Sequence, residues 1–182
     1  MGLFVDINKA FDSVNHTKLF ELLGGIGIEG TDLEWFKSYL CNRKQFVYVN
    51  GTKSKYQSIK TGVPQGSVLG PLLFIIYINS VGDIGLKGNP ILYADDTNLF
   101  YTGHCHQYIL SDMVGDIECL NSWFNSISLK LNVKKTVCMC FKKNSSSLPN
   151  PNLVYEDSII ERVDKIKFLG IVLDENLNWV EH

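Results

Sequence analysis

The chain lacks any apolar stretch long enough to cross a membrane. Its longest apolar run, Val68 to Ile78, falls well short of the roughly 20 residues that a bilayer-spanning helix needs. Residues 3–5 are apolar but Asp6 interrupts at once, so no secretory leader is read there. Neither sign of charge prevails: 17 Lys and Arg stand against 19 Asp and Glu. This balance counts against the strongly basic composition usual for a nucleic-acid binder, although local patches can hide inside it. Cysteine is sparse and odd in number. Cys41, Cys105, Cys119, Cys138 and Cys140 form no C-x-x-C pair, so they read as reduced, small core residues of an intracellular protein. His104-Cys105-His106 has metal-binding residue types but no second pair at ligand spacing, which leaves an ordinary loop.

What the chain does have is apolar bulk. With 182 residues, 45% of them hydrophobic, it can bury one sizeable core, and one domain is expected. Leu3-Phe4-Val5 reads as a buried strand ending on Asp6. Val14, Leu19, Leu22 and Leu23 suggest a helix closed by Gly24-Gly25. A second helix is expected from Thr31, where Thr31 and Glu34 form a capping box ahead of Leu33, Phe36 and Leu40. Asn50-Gly51, between Gln45–Val49 and Tyr56–Ile59, signals a hairpin. After the turn-rich Gly62–Gly66, the run from Ser67 reads as a buried helix with Ser67 near its N-cap and Pro71 in its first turn. Ile109, Met113, Ile117, Leu120 and Phe124 fall at helical spacing and predict an amphipathic helix. Val137, Met139 and Phe141 alternate on a strand. Further strands are expected at Leu153–Tyr155, Ile159-Ile160 and Ile166–Leu173, beyond a linker-like segment at 144–152. There is no internal repeat. Hairpins and irregular alternation predict an α+β fold, a sheet with helices packed on one face.

One stretch resists a purely structural reading. In "NPILYADDTNLFYTG" two like charges, Asp95 and Asp96, sit between apolar runs, on the tip of a predicted hairpin. Aspartate favours turns, and solvation alone accounts for one of them. Strand alternation lets only one of the pair point squarely at a shared site; Asp95 is the expected one, with Asp96 at the edge. If the strand ending at Asp6 neighbours this hairpin, Asp6 and Asp95 converge, and converging carboxylates repel unless cations fill the gap. Mg²⁺ suits the gap, since it takes one or two carboxylates and completes its shell with water and substrate phosphates.

The ordered set "FVDINKAFDSVNH", "TGVPQGSVLGPLLFIIYIN", "YADD", "LKLNVKKTVCMCF" and "IKFLGIVLDENLNW" resembles the palm motifs of reverse transcriptases, particularly the jockey-like type of the non-LTR (LINE) retrotransposons. Group II intron enzymes share Y-A-D-D, but the "SVLGPLLF" and "FLGIVLD" segments are more similar to the retrotransposons. The resemblance covers nearly all of residues 1–182. It implies a polymerase palm with a ferredoxin-like antiparallel sheet, most of the fingers and the thumb being absent. It further implies RNA-directed DNA synthesis with two Mg²⁺ ions (Mn²⁺ as the alternative), an RNA template, a DNA primer and deoxynucleoside triphosphates. By the same resemblance Asp6, Asp95 and Asp96 are the metal-binding catalytic carboxylates. Lys135, with Lys134 as its alternative, is the proton donor or charge neutraliser at departing pyrophosphate.

Phe11 matches the aromatic gate that crowds a ribose 2′-OH, with core packing as the plainer reading. Gly62, Pro64, Gln65 and Gly66 match the segment that contacts template and incoming nucleotide; a plain turn is the alternative. There, glycine backbone freedom would let a large ligand approach the main chain. Phe168, Leu169 and Gly170 match the primer grip, although their pattern alone reads as core. The role of Asp12 stays open, since it equally caps the next helix. Asn15 stands where the family often has aspartate, a change expected to cost local hydrogen bonding. Arg43-Lys44, Lys53, Lys55, Lys60, Lys142-Lys143 and Lys165-Lys167 could neutralise phosphates. The rival expectation is a catalytically inactive relic, at most a nucleic-acid or protein binding module. Location in nucleus or cytoplasm, and oligomeric state, are left open.

Overall fold

The computed structural model describes residues 1–141 and 153–178; the 144–152 linker, Lys142-Lys143 and the tail from Trp179 lie outside them. The described chain forms two compact units. The first comprises Met1–Ile7, Gly82–Trp123 and the described residues from Lys130 onward; the second comprises Asn8–Val81 and Phe124–Leu129.

The first unit is built on a six-stranded sheet. Its strands are β1 (Gly2–Val5), β6 (Asn89–Tyr93), β7 (Asp96–Phe100), β8 (Val137–Met139), β9 (Leu153–Tyr155) and β10 (Ser158–Arg162), in the order β6-β7-β1-β8-β10-β9. All four β1 residues are buried, as its unbroken apolar run requires of a strand covered on both faces. Every ladder is antiparallel except β8–β10, which is parallel. A parallel pair needs a crossover, so local turn signals could not announce it. Helix α5 (His106–Ser126) buries Ile109, Met113, Ile117, Leu120 and Phe124, the predicted stripe. Burying such a side chain contributes about 1.5–3 kcal/mol. Asn121 Nδ2 on α5 donates to the Tyr155 hydroxyl on β9 at 2.8 Å. A separate hairpin, β11 (Lys165–Phe168) with β12 (Ile171–Asp174), completes this unit.

The second unit carries α1 (Ala10–Ser13), α2 (His16–Gly25), α3 (Gly30–Leu40) and α4 (Leu69–Ile78), with α2 packed on both α3 and α4. Helix α2 ends at Gly25, where the Gly24-Gly25 pair places its close. Gly27, at φ 91°, supplies the left-handed residue of a Schellman close, with Ile28 N bonded to Leu23 O and Gly27 N to Gly24 O. The Thr31–Glu34 capping box is absent. The helix starts at Gly30 with Glu29 as an N-cap that makes no side-chain bond, so Thr31 lies inside the first turn, and Glu34 pairs with Lys37 one turn on, at 2.7 Å. Short strands β2 (Lys44–Gln45), β3 (Tyr48–Val49), β4 (Thr52–Lys53) and β5 (Gln57–Ser58) make an exposed ribbon. Its tip is Asn50-Gly51, both at positive φ as a type I′ turn demands. Only Cys138 and Cys140 are core residues, whereas Cys105 and Cys119 are exposed, because the exposed face of α5 and the loop before it carry them. No described helix is long and apolar enough to cross a membrane.

Candidate active site

Asp6 and the Asp95-Asp96 pair meet in the first unit. Strands β1 and β7 pair Val5 with Thr97, so one step further Asp6 faces Asp96. Strands β6 and β7 pair Tyr93 with Asp96, leaving Ala94 and Asp95 as the two-residue turn. Ala94 adopts φ 51°, a left-handed conformation that costs a non-glycine residue on the order of 1 kcal/mol. Asp95 therefore escapes strand alternation, and Asp96 is the one set directly across from Asp6. The Asp96 carboxyl is held above the ordinary carboxylate range, first by burial and then by the negative charges of Asp95 and Asp6.

Among the described residues no ion pair or hydrogen bond reaches these three carboxylates. Nor, among the described residues, does any group of three or more His, Cys, Asp and Glu sit closely enough to hold a metal ion between them. A converging anionic set without a protein cation fits a hard divalent ion that takes one or two carboxylates and leaves its other positions to water and phosphate.

The main chain of Asp6 is gripped from one side. The segment Asn132–Thr136 turns back on itself, with Lys135 N and Thr136 N both bonded to Asn132 O. Asn132 N donates to Asp6 O at 2.9 Å, and Asp6 N donates to Thr136 Oγ1 at 3.3 Å. Lys134 and Lys135 are exposed on this turn.

The second unit gathers a different set. Phe11 on α1 stacks on Phe74 of α4, with centroids 4.4 Å apart. Gln65 Nε2 donates to Asp12 Oδ1 at 2.9 Å. A carboxylate only accepts, so this bond fixes the amide orientation and leaves Oε1 to a ligand. The Gly62–Gly66 segment is strapped to the α1–α2 region. Gly62 N donates to Val14 O, Val63 N to Phe11 O, and His16 Nε2 to Gly62 O at 2.8 Å. The expectation that Gly62 admits a ligand is revised. At Gly62 (φ 89°) an added Cβ would lie 2.8 Å from the Asp12 Cα, so the chain's own backbone fills that space. Around Gly66 nothing lies within 4 Å of such a Cβ. Gly62→Ala is expected to cost at least about 2 kcal/mol, read as a lower urea midpoint, whereas Gly66→Ala should bear only the conformational part.

A cleft of about 990 Å³ opens here, lined by Lys9, Asp12, Arg43, Lys60, Gly62, Gln65 and neighbouring residues. Arg43, Lys44, Lys53, Lys55 and Lys60 are all exposed. Arg43 lies over the Tyr39 ring and Lys53 over the Phe46 ring, at 5.9 and 5.2 Å. The Asn15 side chain caps α2 by accepting from Lys18 N, a bond that an aspartate there would also make.

In the first unit, Phe168 packs edge-on against Phe4 and Phe100. The ring is half-buried, and the tip of the hairpin is Leu169-Gly170, at φ 48° and 85°. Lys165 and Lys167 lie on β11. Reading the sequence missed Gly70, whose Cβ would meet Pro64 O at 2.4 Å; its place in "SVLGPLLF" was the available signal. It also missed the buried Asp116, for which no local pattern exists.

The sequence model of the family described as "Reverse transcriptase (RNA-dependent DNA polymerase)" matches residues 1–173. The chain is 30% identical, over 188 aligned residues, to a probable RNA-directed DNA polymerase from transposon BS of Drosophila melanogaster, covering all of this chain and 21% of that protein. It is also 30% identical, over 189 aligned residues, to the RNA-directed DNA polymerase from mobile element jockey of the same species, covering all of this chain and 20% of that protein. The chain thus spans about a fifth of the length of these relatives. Its fold matches apo telomerase from Candida tropicalis truncated from its C-terminal domain. The TM-score is 0.63 at 16% identity, over 98% of this chain and 34% of that one.

Proposed function

Because this chain belongs to the reverse transcriptase (RNA-dependent DNA polymerase) family, we propose that it carries the nucleotidyl-transfer centre of a non-LTR retrotransposon polymerase. The observation that carries this reading is the meeting of Asp6, Asp95 and Asp96 with no protein cation among the described residues to offset them. Two Mg²⁺ ions, when bound, stabilise the attacking primer 3′-oxygen and the leaving pyrophosphate oxygen. Asp6 and the Asp95-Asp96 turn would hold them. Lys135 would neutralise or protonate the departing pyrophosphate. Gln65, its amide fixed by Asp12, would offer Oε1 and its remaining N–H to the incoming nucleotide. Leu169-Gly170 would support the primer end.

Phe11 would exclude the ribose 2′-OH, its ring held in place by Phe74. Phe11→Val is expected to raise ribonucleotide incorporation relative to deoxynucleotide by about 10–100-fold, the range that discrimination of one small group commands, measured as the ratio of kcat/KM values. An unchanged ratio would remove the gate from the scheme.

The test of the function itself is Mg²⁺-dependent extension of a DNA primer on an RNA template. The inactive-module reading draws on one observation, the run from Cys41 to Thr61, which carries its cations without a single carboxylate. It predicts salt-sensitive retention of template-primer with no incorporation at any metal concentration.

A further inference from the structure

We infer that Thr136 is the positioning residue of Asp6, setting the direction of its carboxylate through the peptide group rather than touching metal or substrate. The inference rests on the metal-binding reading of Asp6 given above. Its ground is a break in the β1–β8 ladder. Phe4 pairs with Val137, yet the next bridge joins Ile7 to Leu131. Val5 and Asp6 therefore stand opposite the whole turn Asn132–Thr136.

An unbroken ladder would give the Asp6 N–H a partner carbonyl. Here the acceptor found among the described residues is a side chain, Thr136 Oγ1, at 3.3 Å. The same hydroxyl donates to Asn132 O at 3.0 Å, so its proton is committed and its lone pair faces Asp6. Thr136 is 1% exposed, which keeps water from substituting for it. Asn132 N closes the other side by donating to Asp6 O at 2.9 Å. Asp6 is thus held at both of its peptide groups, while no bond from the described residues steadies its carboxylate. For such a ligand, direction comes from the backbone alone, and the Thr136 hydroxyl is the replaceable part of the grip.

Groups that orient a metal ligand typically change metal affinity by 10–100-fold when removed. Mn²⁺ binding to the 182-residue chain, followed by the electron paramagnetic resonance of free Mn²⁺, reads this directly and needs no turnover. Thr136→Val keeps the shape and removes both bonds. Its Mn²⁺ dissociation constant is expected to rise about tenfold, while Thr136→Ser, which restores the hydroxyl, stays within about twofold of the unaltered chain. Asp6→Asn should weaken binding at least as much as Thr136→Val.

Normal affinity in a folded Thr136→Val chain, alongside loss in Asp6→Asn, would overturn the inference and leave the metal reading standing. Normal affinity in Asp6→Asn would overturn both. Amide hydrogen exchange in the unaltered chain decides the matter if the valine variant does not fold. The Asp6 N–H is expected to be protected, and exchange at the rate of an open amide would dismiss the clamp.

Discussion

Asp95→Asn and Asp6→Asn are each expected to lower nucleotide addition by roughly three orders of magnitude or more. On the proposed reading each removes charge from the place where a divalent ion would neutralise developing negative oxygens, and losses of about 4 kcal/mol in the barrier are the scale for such a change. Single-turnover primer extension measures it, and activity within tenfold of the unaltered protein would contradict the assignment. Asp96→Asn adds a second readout, of opposite sign. The folded Asp96 carboxyl titrates above its ordinary value because burial and the charges of Asp95 and Asp6 disfavour its ionisation. The folded state therefore binds this proton more tightly than the unfolded chain, and ionisation at neutral pH works against folding. Without metal, Asp96→Asn should melt at a higher temperature than the unaltered chain at pH 7. The difference should fade as pH falls through the raised value into the ordinary carboxylate range. Added Mg²⁺ should stabilise the unaltered chain and not the variant.

The largest loss of stability is expected at a carboxylate with no part in the chemistry. Asp116, on α5, is 2% exposed. It accepts from Lys87 N at 2.9 Å, from Gly88 N at 2.8 Å and from the Tyr101 hydroxyl at 2.8 Å. The arrangement leaves no room for adjustment, since a Cβ on Gly88 would lie 2.6 Å from the Tyr101 ring. Burial, and then the bond to Asp116, push the Tyr101 phenol far above its usual value, so it remains a donor at every working pH. Asp116→Ala strands two buried donors, Gly88 N and the Tyr101 hydroxyl, besides the part-buried Lys87 N, and is expected to cost about 3–5 kcal/mol. For a chain of this size that is a fall in Tm on the order of 10 °C. Tyr101→Phe removes one donor with its bond and should cost about 1 kcal/mol. The double variant should lose less than the sum, because one orphaned hydroxyl is gone. A loss under about 1 kcal/mol for Asp116→Ala would show that water reaches the site.

These two aspartate sets mark how far the letters alone could go. The acids at 95 and 96 stood out because they interrupt apolar runs, and the α5 stripe because five side chains keep one period. Asn50-Gly51 was equally plain, since few dipeptides accept two positive φ angles. Asp116 was invisible. It lies on a helix whose polar face legitimately carries acids, and its partners come from a loop and a strand end far away in sequence. The parallel β8–β10 pairing escaped for the same reason. The Thr31–Glu34 box failed because the helix starts at Gly30 and puts Thr31 inside its first turn, where it cannot act as the N-cap. Gly62 was read toward a ligand when the approaching backbone was that of Asp12. Thr136 carried no role of its own in the sequence, because the ladder break that gives it an unpaired amide to serve exists only in three dimensions.

The rings of Phe4, Phe100 and Phe168 contact one another pairwise, at centroid distances of 5.8, 6.1 and 6.3 Å. Phe4 precedes Asp6 by two residues, Phe100 closes the strand that Asp96 opens, and Phe168 ends the arm that leads to Leu169. Tip and acids are therefore joined by a stiff aromatic wedge instead of a pliable loop. Anything resting on Leu169 is gauged against the carboxylates as if by a fixed caliper, and a smaller residue at Phe168 would leave both jaws intact while letting the opening between them drift.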